Sequence, residues 1–230
     1  LEMAEIKLHC KLPIFAARQW IRHRTANVNE YSARYSIMDK EFYLPDPQQL
    51  AAQSRTNHQG RAAQPLSPEQ AAAVLDLLRD DAERCYDHYE GLLNDDGTGN
   101  PSRPEDPQLA RELARMNLTL NFYTQWYWKV DLHNLLHFLA LRSDSHAQYE
   151  IRVYAEVIGQ LVERWVPAAW GAFRDYRLEA ASLSRQELQV VKQLLRDGTF
   201  DLEAMGEMTQ REQREFRQKL GLVTLDKELQ

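Results

Sequence analysis

The polar segment from Arg22 to Ser36 carries the residue types best suited to bind an anion. It contains three arginines, one histidine, one carboxylate and several short hydrogen-bonding side chains, with almost no aliphatic residue. Arginine presents a rigid fork of donors that matches phosphate, and a phosphate offsets the repulsion between crowded guanidinium groups. A solvated basic loop is the plain alternative for a run of charges. Because Asn29, Glu30 and Ser32 are interleaved with the arginines, we favour a site for an anionic ligand.

This segment resembles the signature R-H-R-x-x-S-x-N-E-x-S-x-R of the flavin-dependent thymidylate synthases. Seven of its eight specified positions agree, namely Arg22, His23, Arg24, Asn29, Glu30, Ser32 and Arg34. Asn27 stands where the signature has serine, and asparagine can still donate and accept a hydrogen bond. A pattern of this length and polarity is far more specific than a short glycine motif, so it indicates membership of that family.

A second polar segment, Leu141 to Glu150, lies between two apolar stretches. Taken alone, Arg142 could be a basic residue that interacts with the carbonyls at a helix C-terminus. The segment is also similar to the second characteristic motif of the same family, L-R-x-D-S-H-A-Q-[WY]-E. The resemblance implies that Arg142 contacts the uracil ring and favours ionisation at N3, since a guanidinium stabilises the negative form of the ring. It therefore names Arg142 as the catalytic residue.

The resemblance runs from Met3 to about Tyr176 and implies further contacts. Contacts to the nucleotide dUMP are expected from Gln19, Arg22, Glu30, Tyr31, Ser32, Ala33, Arg34, Arg115 and Arg142. Contacts to the flavin are expected from Arg22, His23, Arg24, Glu30, Asp131, Leu132, His133 and His137. Many relatives have N-x-R at residues 131–133, so His133 puts a titratable group where they hold a fixed positive charge.

The implied reaction is the reductive methylation of dUMP to dTMP. Methylenetetrahydrofolate gives the carbon, NADPH gives the hydride and FAD relays both, so the cofactor carries the chemistry while side chains supply binding and electrostatics. The family builds its sites between the subunits of a homotetramer, which implies self-association. Family members also carry an N-terminal portion before the equivalent of Leu1, including a flavin-contacting threonine, and this chain is expected to lack that part.

Two other classes of function stay open on the sequence. A non-catalytic nucleotide- or flavin-binding protein would keep the arginines of the first segment without turnover. A metal hydrolase could use His133, His137 and His146, because the first two are four residues apart and share a helix face. No nearby Cys or Glu completes a ligand set, so no metal is expected. No cysteine lies in either polar segment, and Ser32 is assigned a hydrogen-bonding role rather than a nucleophilic one.

Composition limits the partners and the location. The formal charge of −6 argues against general nucleic-acid binding, which usually shows a basic domain. No apolar run is long enough to cross a bilayer and no signal peptide is apparent, so no membrane partner is expected and a cytoplasmic location is predicted. Cys10 and Cys85 lie in apolar surroundings and are predicted to be buried thiols rather than a disulfide.

We expect an α+β fold, a helix-rich single domain around a small, mostly antiparallel sheet. Alternating apolar and polar residues predict strands at residues 3–10 and 122–130, and a short strand is predicted at 41–44. The first polar segment has no period and is predicted to be a loop. Residues 94–107 are rich in Gly, Pro, Asp and Asn and are predicted to be an exposed loop.

Helices are predicted at residues 14–21, 108–117 and 132–141, the last buried nearly all round. Capping boxes predict further helix starts at Ser67, Ser145, Ser184 and Thr209. The inner face of the long helix after Ser145 is predicted to carry Ile151, Tyr154, Ile158, Leu161 and Trp165. The proposed division is a synthase-like domain at 1–183, N-terminally incomplete, and a helical extension at 184–230.

The spacing of His133 and Arg142 constrains the site. They are nine residues apart, which is half a turn on a continuous helix at 100° per residue. Unless the helix ends between them, they cannot serve one pocket. We therefore expect them to serve different pockets at subunit boundaries.

Overall fold

The two predicted alternating strands pair with each other, and a third strand that was not predicted completes a three-stranded sheet with the most apolar strand in the centre. The structure is a computed structural model that describes residues 1–54, 60–144, 147–198 and 208–221. Its strands are β1 (Glu5–Pro13), β2 (Asn27–Glu30), β3 (Ala51–Gln53), β4 (Arg61–Pro65) and β5 (Tyr123–Asp131). The order in the main sheet is β1-β5-β2, and β3 pairs with β4 in a separate two-stranded sheet. All these pairings are antiparallel, as predicted.

Helices dominate the rest of the described chain, which confirms the α+β class. They are α1 (Ile14–Trp20), α2 (Pro68–Leu93), α3 (Arg111–Ala114), α4 (Leu132–Arg142), α5 (Tyr149–Trp165), α6 (Pro167–Phe173), α7 (Arg185–Asp197) and α8 (Gln210–Lys219). None of the helices in the described ranges is long and apolar enough to cross a membrane. The chain forms two units, Leu1–Leu161 and Val162–Gln230. The division after residue 183 stays a prediction.

Burial alternates along β5 as the sequence predicts. Trp126, Trp128 and Val130 are buried, whereas Tyr127 between them is half exposed. β5 is hydrogen-bonded on both edges, to β1 along its whole length and to β2 over four residues. A central strand with one apolar face therefore fixes the register of the sheet, because a one-residue slip would turn its tryptophans to solvent.

Two predictions about irregular segments were wrong. The first polar segment is not a loop throughout, because its residues 27–30 form β2 on the edge of the sheet. All four side chains of β2 are exposed, so the strand shows no apolar period and is held by backbone pairing. Residues 41–44 do not form a strand and make only an isolated bridge, from Phe42 to Phe122. The β3–β4 pair was not predicted.

The predicted helices agree better with the structure than the predicted irregular segments do. Residues 14–21 hold α1, and Ser67 begins α2 with both hydrogen bonds of a capping box. The predicted helix at 108–117 is shorter, since only Arg111–Ala114 is α-helical and a 3₁₀ turn follows. The predicted cap at Ser145 lies outside the described residues. On α5, Ile151 and Ile158 are buried as predicted, but Trp165 is 40% exposed.

Trp20, at the end of α1, is the centre of the first unit's aromatic core. It is fully buried. Its ring stacks on Phe138 of α4 at 4.9 Å and meets Trp128 and Trp126 of β5 edge-on at 5.3 and 5.7 Å. It also meets Tyr154 of α5 at 5.7 Å. One side chain thus joins α1 to the sheet and to two later helices.

In the second unit, the two predicted capping boxes are present. Ser184 caps α7 and Thr209 caps α8, each with both reciprocal hydrogen bonds. Glu187 of the first box is buried and also accepts from Lys219 Nζ at 2.8 and 2.9 Å. Because a buried carboxylate needs a charged partner, this pair joins α7 to the end of α8.

Removal of the central tryptophan tests its role in the core. Trp20→Ala is expected to lower the free energy of unfolding by about 3–5 kcal/mol, through lost contacts and the cavity left behind. Urea denaturation followed by circular dichroism measures the change. Tyr176→Ala, at a ring that is 79% exposed, is the control and should change stability by less than about 0.5 kcal/mol. Equal effects of the two substitutions would contradict the assignment.

Candidate functional site

His23 lies in the connection between α1 and β2 and packs against α4. Its ring centroid is 5.3 Å from that of Phe138, 5.9 Å from that of His137 and 6.2 Å from that of Trp128. Thr25 Oγ1 lies 3.1 Å from His23 Nε2. The burial of Trp20 against α4, three residues earlier, carries the chain to this point. The structure therefore brings together two residues predicted to contact flavin, His23 from the first polar segment and His137 from α4.

The surroundings of His23 are electropositive. Burial lowers the pKa of His23 below 6.5, and positive charge on His137 and on Arg142 lowers it further. A hydrogen bond to the backbone of Asn134 and the charge of Asp131 act in the opposite direction and are outweighed. We name His23, His137 and Arg142 the basic cluster. An anion bound there would relieve the repulsion among its members.

Asp131 begins α4 and is fixed in its charged form. Its Oδ1 accepts the backbone N–H of Asn134 at 2.9 Å, and its Oδ2 accepts the side-chain amide of Asn134 at 2.7 Å. Burial acts to raise the pKa of Asp131, but these hydrogen bonds hold it below its ordinary value. The side chain of Leu132 is in the core and its N–H donates to the carbonyl of Ala4. His133, one residue on, is exposed.

Helix α4 is exposed along the face that carries His133 and His137, contrary to the prediction that it is buried nearly all round. His133 and His137 are exposed, whereas Leu135, Leu136 and Leu139 are buried, so the helix is not buried all round. It continues without a break through Arg142. The condition for placing His133 and Arg142 on opposite sides is therefore met.

In the described part of the chain, Gln19 and Arg142, both predicted to contact the nucleotide, each have a buried polar atom without a hydrogen-bond partner. Within the described ranges, the buried side-chain atoms without a partner are Gln19 Oε1, Arg142 Nε and the indole nitrogens of Trp20 and Trp126. A buried donor or acceptor left unsatisfied costs about 1–3 kcal/mol. The indoles belong to the aromatic core. Gln19 and Arg142 are the residues for which a ligand would supply the missing partner, so these side chains fit a bound nucleotide.

Residues 31–36, which we name the 31–36 turn, follow β2. The backbone N–H groups of Tyr35 and Ser36 both donate to the carbonyl of Ser32 at 3.1 Å, and the N–H of Arg34 donates to Ser32 Oγ at 3.3 Å. Ala33 is buried in a cluster with Met38 and Tyr89. The hydroxyl of Ser32 thus accepts a hydrogen bond within the turn, which agrees with its predicted non-nucleophilic role.

The guanidinium of Arg34 leaves the turn toward solvent. Its Nε lies 3.2 Å from a carboxylate oxygen of Glu112 on α3, and both side chains are more than half exposed. Just before the turn, Glu30 accepts from Thr124 Oγ1 at 2.7 Å, and Tyr31 N–H donates to the carbonyl of Gln125. β5 therefore fixes the start of the turn. The Arg34 side chain is held by the surface ion pair and lies over the Tyr35 ring, 5.9 Å from the ring centroid.

The other residues predicted to bind the nucleotide or the flavin do not meet at one place within the chain. Arg22, Arg24 and Arg115 are exposed, and Arg115 Nε makes only a long hydrogen bond of 3.4 Å to the carbonyl of Glu112. The basic cluster lies before β2 and the 31–36 turn lies after it. A four-residue strand spans roughly 13 Å. The predicted contacts therefore fall into two groups at the two ends of β2.

The metal hydrolase alternative rests on His133, His137 and His146. Among the residues that the structure describes, no group of three or more His, Cys, Asp or Glu side chains could hold a metal ion. His133 and His137 share a face of α4, as the spacing predicts. His146, the third member of the hypothetical metal site, lies outside the described residues.

The sequence of the chain matches a known family over most of its length. A family model described as thymidylate synthase complementing protein, Thy1, matches residues 1–168. The chain belongs to this family. The result confirms the resemblance that the two polar segments carry.

Curated relatives of the family are named flavin-dependent thymidylate synthases. The chain is 57% identical over 220 residues to that of Ruegeria pomeroyi, an alignment that covers 96% of this chain and 70% of the relative. It is 57% identical over 215 residues to that of Rickettsia bellii, with 94% and 73% covered. It is 60% identical over 211 residues to that of Gluconobacter oxydans, with 92% and 66% covered.

Two solved structures of one enzyme are similar to this chain in fold. The UMP/dUMP methylase PolB from Streptomyces cacaoi, bound with 5-Br dUMP, matches with a TM-score of 0.63 and 28% identity. That match covers 75% of this chain and 71% of PolB. The same enzyme bound with 5-Br UMP matches with a TM-score of 0.66 and 29% identity, and 75% of each chain is covered.

The motifs of the Thy1 family did not point to three residues that shape the site. Thr124 holds Glu30, while Arg111 and Glu112 on α3 contact the 31–36 turn. Thr124 lies on the inward face of β5, so the alternation of that strand could have marked it as a buried hydroxyl that needs a partner. No sequence signal pairs α3 with a turn more than seventy residues earlier.

The low pKa of His23 can be tested by removing a neighbouring charge. His137→Asn is expected to raise the pKa of His23 toward 6.5, because one of the charges that disfavour its protonation is gone. Titration of the His23 ring by NMR measures the change, and His88→Asn on α2 should leave it unaltered. The folded-state pKa of His23 lies below its unfolded value. Its contribution to stability is therefore present above the unfolded pKa and is lost as the pH falls below about 6.5. An unchanged His23 pKa in His137→Asn would contradict the coupling.

Proposed function

We propose that this chain catalyses the reductive methylation of dUMP to dTMP, with methylenetetrahydrofolate as carbon donor and NADPH as reductant through bound FAD. The observation that carries the proposal is the pair of buried atoms, Gln19 Oε1 and Arg142 Nε, that lack partners in the chain itself. Both belong to residues that the resemblance to the family assigns to the nucleotide. The names of the curated relatives and of the methylase PolB support the same reaction.

In this proposal the nucleotide is held at two ends. Arg34 pairs with the phosphate, since its guanidinium is exposed and its present partner Glu112 is a surface carboxylate that a phosphate can displace. Arg142 donates to the uracil ring and stabilises its anionic form, which activates the base. Glu30, fixed by Thr124, and Gln19 supply further hydrogen bonds. Tyr31, Ser32 and Ala33 contribute through the backbone of the turn, and Arg22 and Arg115 add positive charge.

Most of the groups proposed to hold FAD lie at the start of α4 and in the connection before β2, and Glu30 lies at the far end of β2. They are Arg22, His23, Arg24, Glu30, Asp131, Leu132, His133 and His137. The lowered pKa of His23 fits a site that gains an anionic ligand, because the diphosphate of the cofactor offsets the clustered positive charge. FAD supplies the transfer of hydride and carbon when bound. Asp131 caps the first turn of α4, and His133 and His137 lie on the exposed face of that helix.

The proposed assembly is a homotetramer with sites between subunits. Exposed Arg22 and Arg24, and the opposite directions of His133 and Arg142 on a continuous helix, are what a site completed by a second copy requires. The reaction is proposed to take place in the cytoplasm. Light scattering after gel filtration, with and without FAD, tests the tetramer, and a monomer under both conditions would contradict it.

The reaction is tested by a defined assay. Formation of dTMP from dUMP, methylenetetrahydrofolate and NADPH is expected to require added FAD, with mass spectrometry as the readout. Arg142→Ala should abolish turnover. Because Arg142 Nε has no partner now, the same variant should be at least as stable as the parent in urea. A parallel reaction with UMP separates the two substrates named for PolB.

Two results would contradict the proposal, each in a different part. One is FAD-dependent dTMP formation by Arg142→Ala at the parental rate, which contradicts the role of Arg142 and leaves the reaction itself standing. The other is an absence of product both from this chain and from the same chain joined to the N-terminal segment of a curated relative. Substrate binding without turnover in both forms would favour the non-catalytic alternative.

Opposite effects on dUMP binding are expected from the two members of the Arg34–Glu112 pair. Arg34→Ala should weaken dUMP by about 1.5–3 kcal/mol, the loss of one charge-assisted hydrogen bond. Glu112→Gln should tighten dUMP by about 0.2–1 kcal/mol, since a competing carboxylate is removed. Isothermal calorimetry measures both. Asp76→Asn, which breaks an exposed ion pair on α2, is the control, and weaker binding in Glu112→Gln would contradict the competition.

A further inference from the structure

Arg111 on α3 connects two segments that are far apart in sequence. Its Nη1 donates to the backbone carbonyl of Tyr35 in the 31–36 turn at 2.8 Å. Its Nη2 donates to Asp95 Oδ2, in the loop that follows α2, at 2.9 Å. The Arg111 side chain is 34% exposed, whereas that of Asp95 is only 5% exposed. We name this arrangement the Arg111 bridge.

Asp95 is built to receive this arginine. Its Oδ1 accepts the backbone N–H groups of Gly97 at 2.8 Å and Gly99 at 3.1 Å, which leaves Oδ2 for Arg111. Gly97 has a φ of 90° and Gly99 a φ of 96°, a backbone region that residues with a side chain rarely adopt. The hydrogen bond from Arg111 and those from the glycine amides hold the pKa of Asp95 below its ordinary value. The Asp95 carboxylate is thus held in its charged form by Arg111 and the two glycine amides together.

The 31–36 turn depends on α3 at its tip. Its ends are tied down, by Tyr31 N–H on the carbonyl of Gln125 and, just beyond the turn, by Met38 N–H on the Tyr89 hydroxyl. Between Arg34 and Ser36, the hydrogen bonds and ion pairs from outside the turn, within the described part of the chain, come from Arg111 and Glu112. The Tyr35 ring is 77% exposed and gives little packing. Since the Glu112 contact is an exposed ion pair, Arg111 is the firmer of the two.

We propose that Arg111 is a positioning residue for nucleotide recognition, which holds the 31–36 turn in the conformation that presents Arg34 to the phosphate. Asp95 keeps Arg111 in place. The inference rests on the proposed function, because Arg34 binds phosphate only if dUMP is the substrate. A turn held before the ligand arrives loses less conformational entropy on binding, so affinity gains without a new ligand contact.

The same loop offers a matched control for a merely structural role. Arg103 also joins a carboxylate to a backbone carbonyl, since its Nε pairs with Asp106 and its Nη2 donates to the carbonyl of Gly91 at 3.1 Å. Gly91 belongs to α2, and Arg103 makes no described contact with the 31–36 turn. Loss of Arg103 removes the same kinds of contact from the loop, an ion pair and a hydrogen bond to a carbonyl at a more exposed position, and leaves the turn alone.

The experiment compares Arg111→Gln, Arg111→Lys and Asp95→Asn with Arg103→Gln in the full chain. Arg111→Gln is expected to weaken dUMP binding about five- to tenfold, which is less than the loss of a direct charged hydrogen bond to dUMP would cause, because only the positioning of Arg34 is affected. Binding of deoxyuridine, which lacks the phosphate, should change less than twofold. KM for dUMP should rise more than kcat falls. Asp95→Asn should show a smaller effect of the same kind, and Arg111→Lys should recover part of the affinity.

Hydrogen exchange on the ligand-free protein reads the turn directly. Amides of residues 31–36 should exchange faster in Arg111→Gln than in Arg103→Gln, while the two variants melt at similar temperatures. Equal dUMP affinity in Arg111→Gln and the parent would overturn the inference, as would an equal loss in Arg103→Gln. Should Arg111→Gln fail to fold, Asp95→Asn decides on the same criteria. A parent chain that binds no dUMP at all would instead overturn the proposed function, and that result is distinct from the others.

Discussion

The burial of Trp20 is the constraint on which the site depends. Trp20 is the last residue of α1, and its indole contacts the central strand and helix α4 at once. The chain that leaves α1 must therefore start from a fixed point beside α4. His23 follows within three residues and reaches His137, while Gln19, one residue before Trp20, keeps its amide oxygen buried. Gln19 and His23 flank Trp20 closely in sequence. The packing of Trp20 in the core therefore also fixes the positions of polar groups that would not gather on their own.

The site also concentrates unfavourable features that a ligand would relieve. Positive charge accumulates around His23, and Arg142 Nε and Gln19 Oε1 are buried without partners. In a folded chain each of these lowers stability, and a chain selected for stability alone would remove them. These residues lie in or beside the two polar motifs, so a bound ligand would give the cost a reason. Strain of this kind is typical of binding sites, where the missing partner is the ligand.

The sequence predicted elements wherever burial or capping leaves a pattern. The alternating tryptophans of β5 and the capping boxes at Ser67, Ser184 and Thr209 were sufficient for those elements. β2 was missed because both its faces are exposed, so backbone pairing with β5 holds it and leaves no mark on side-chain types. The polar face of α4 was missed because two histidines among leucines were counted with the apolar residues. In each case the deciding partner lies elsewhere in the chain.

The candidate site contains residues that the sequence identified and supporting residues that only the structure identified. The motif residues were found from their types and spacing, but the contacts that support them come from residues without a motif. Thr124 fixes Glu30, and Arg111 fixes the carbonyl of Tyr35, each across a long stretch of sequence. A residue that touches a ligand is constrained by the ligand's chemistry and so carries a recognisable type. A residue that holds another in place needs only a donor at the right distance, and many side chains can supply one. Only the fold identifies which side chain does so, because α3 approaches the 31–36 turn through tertiary structure alone.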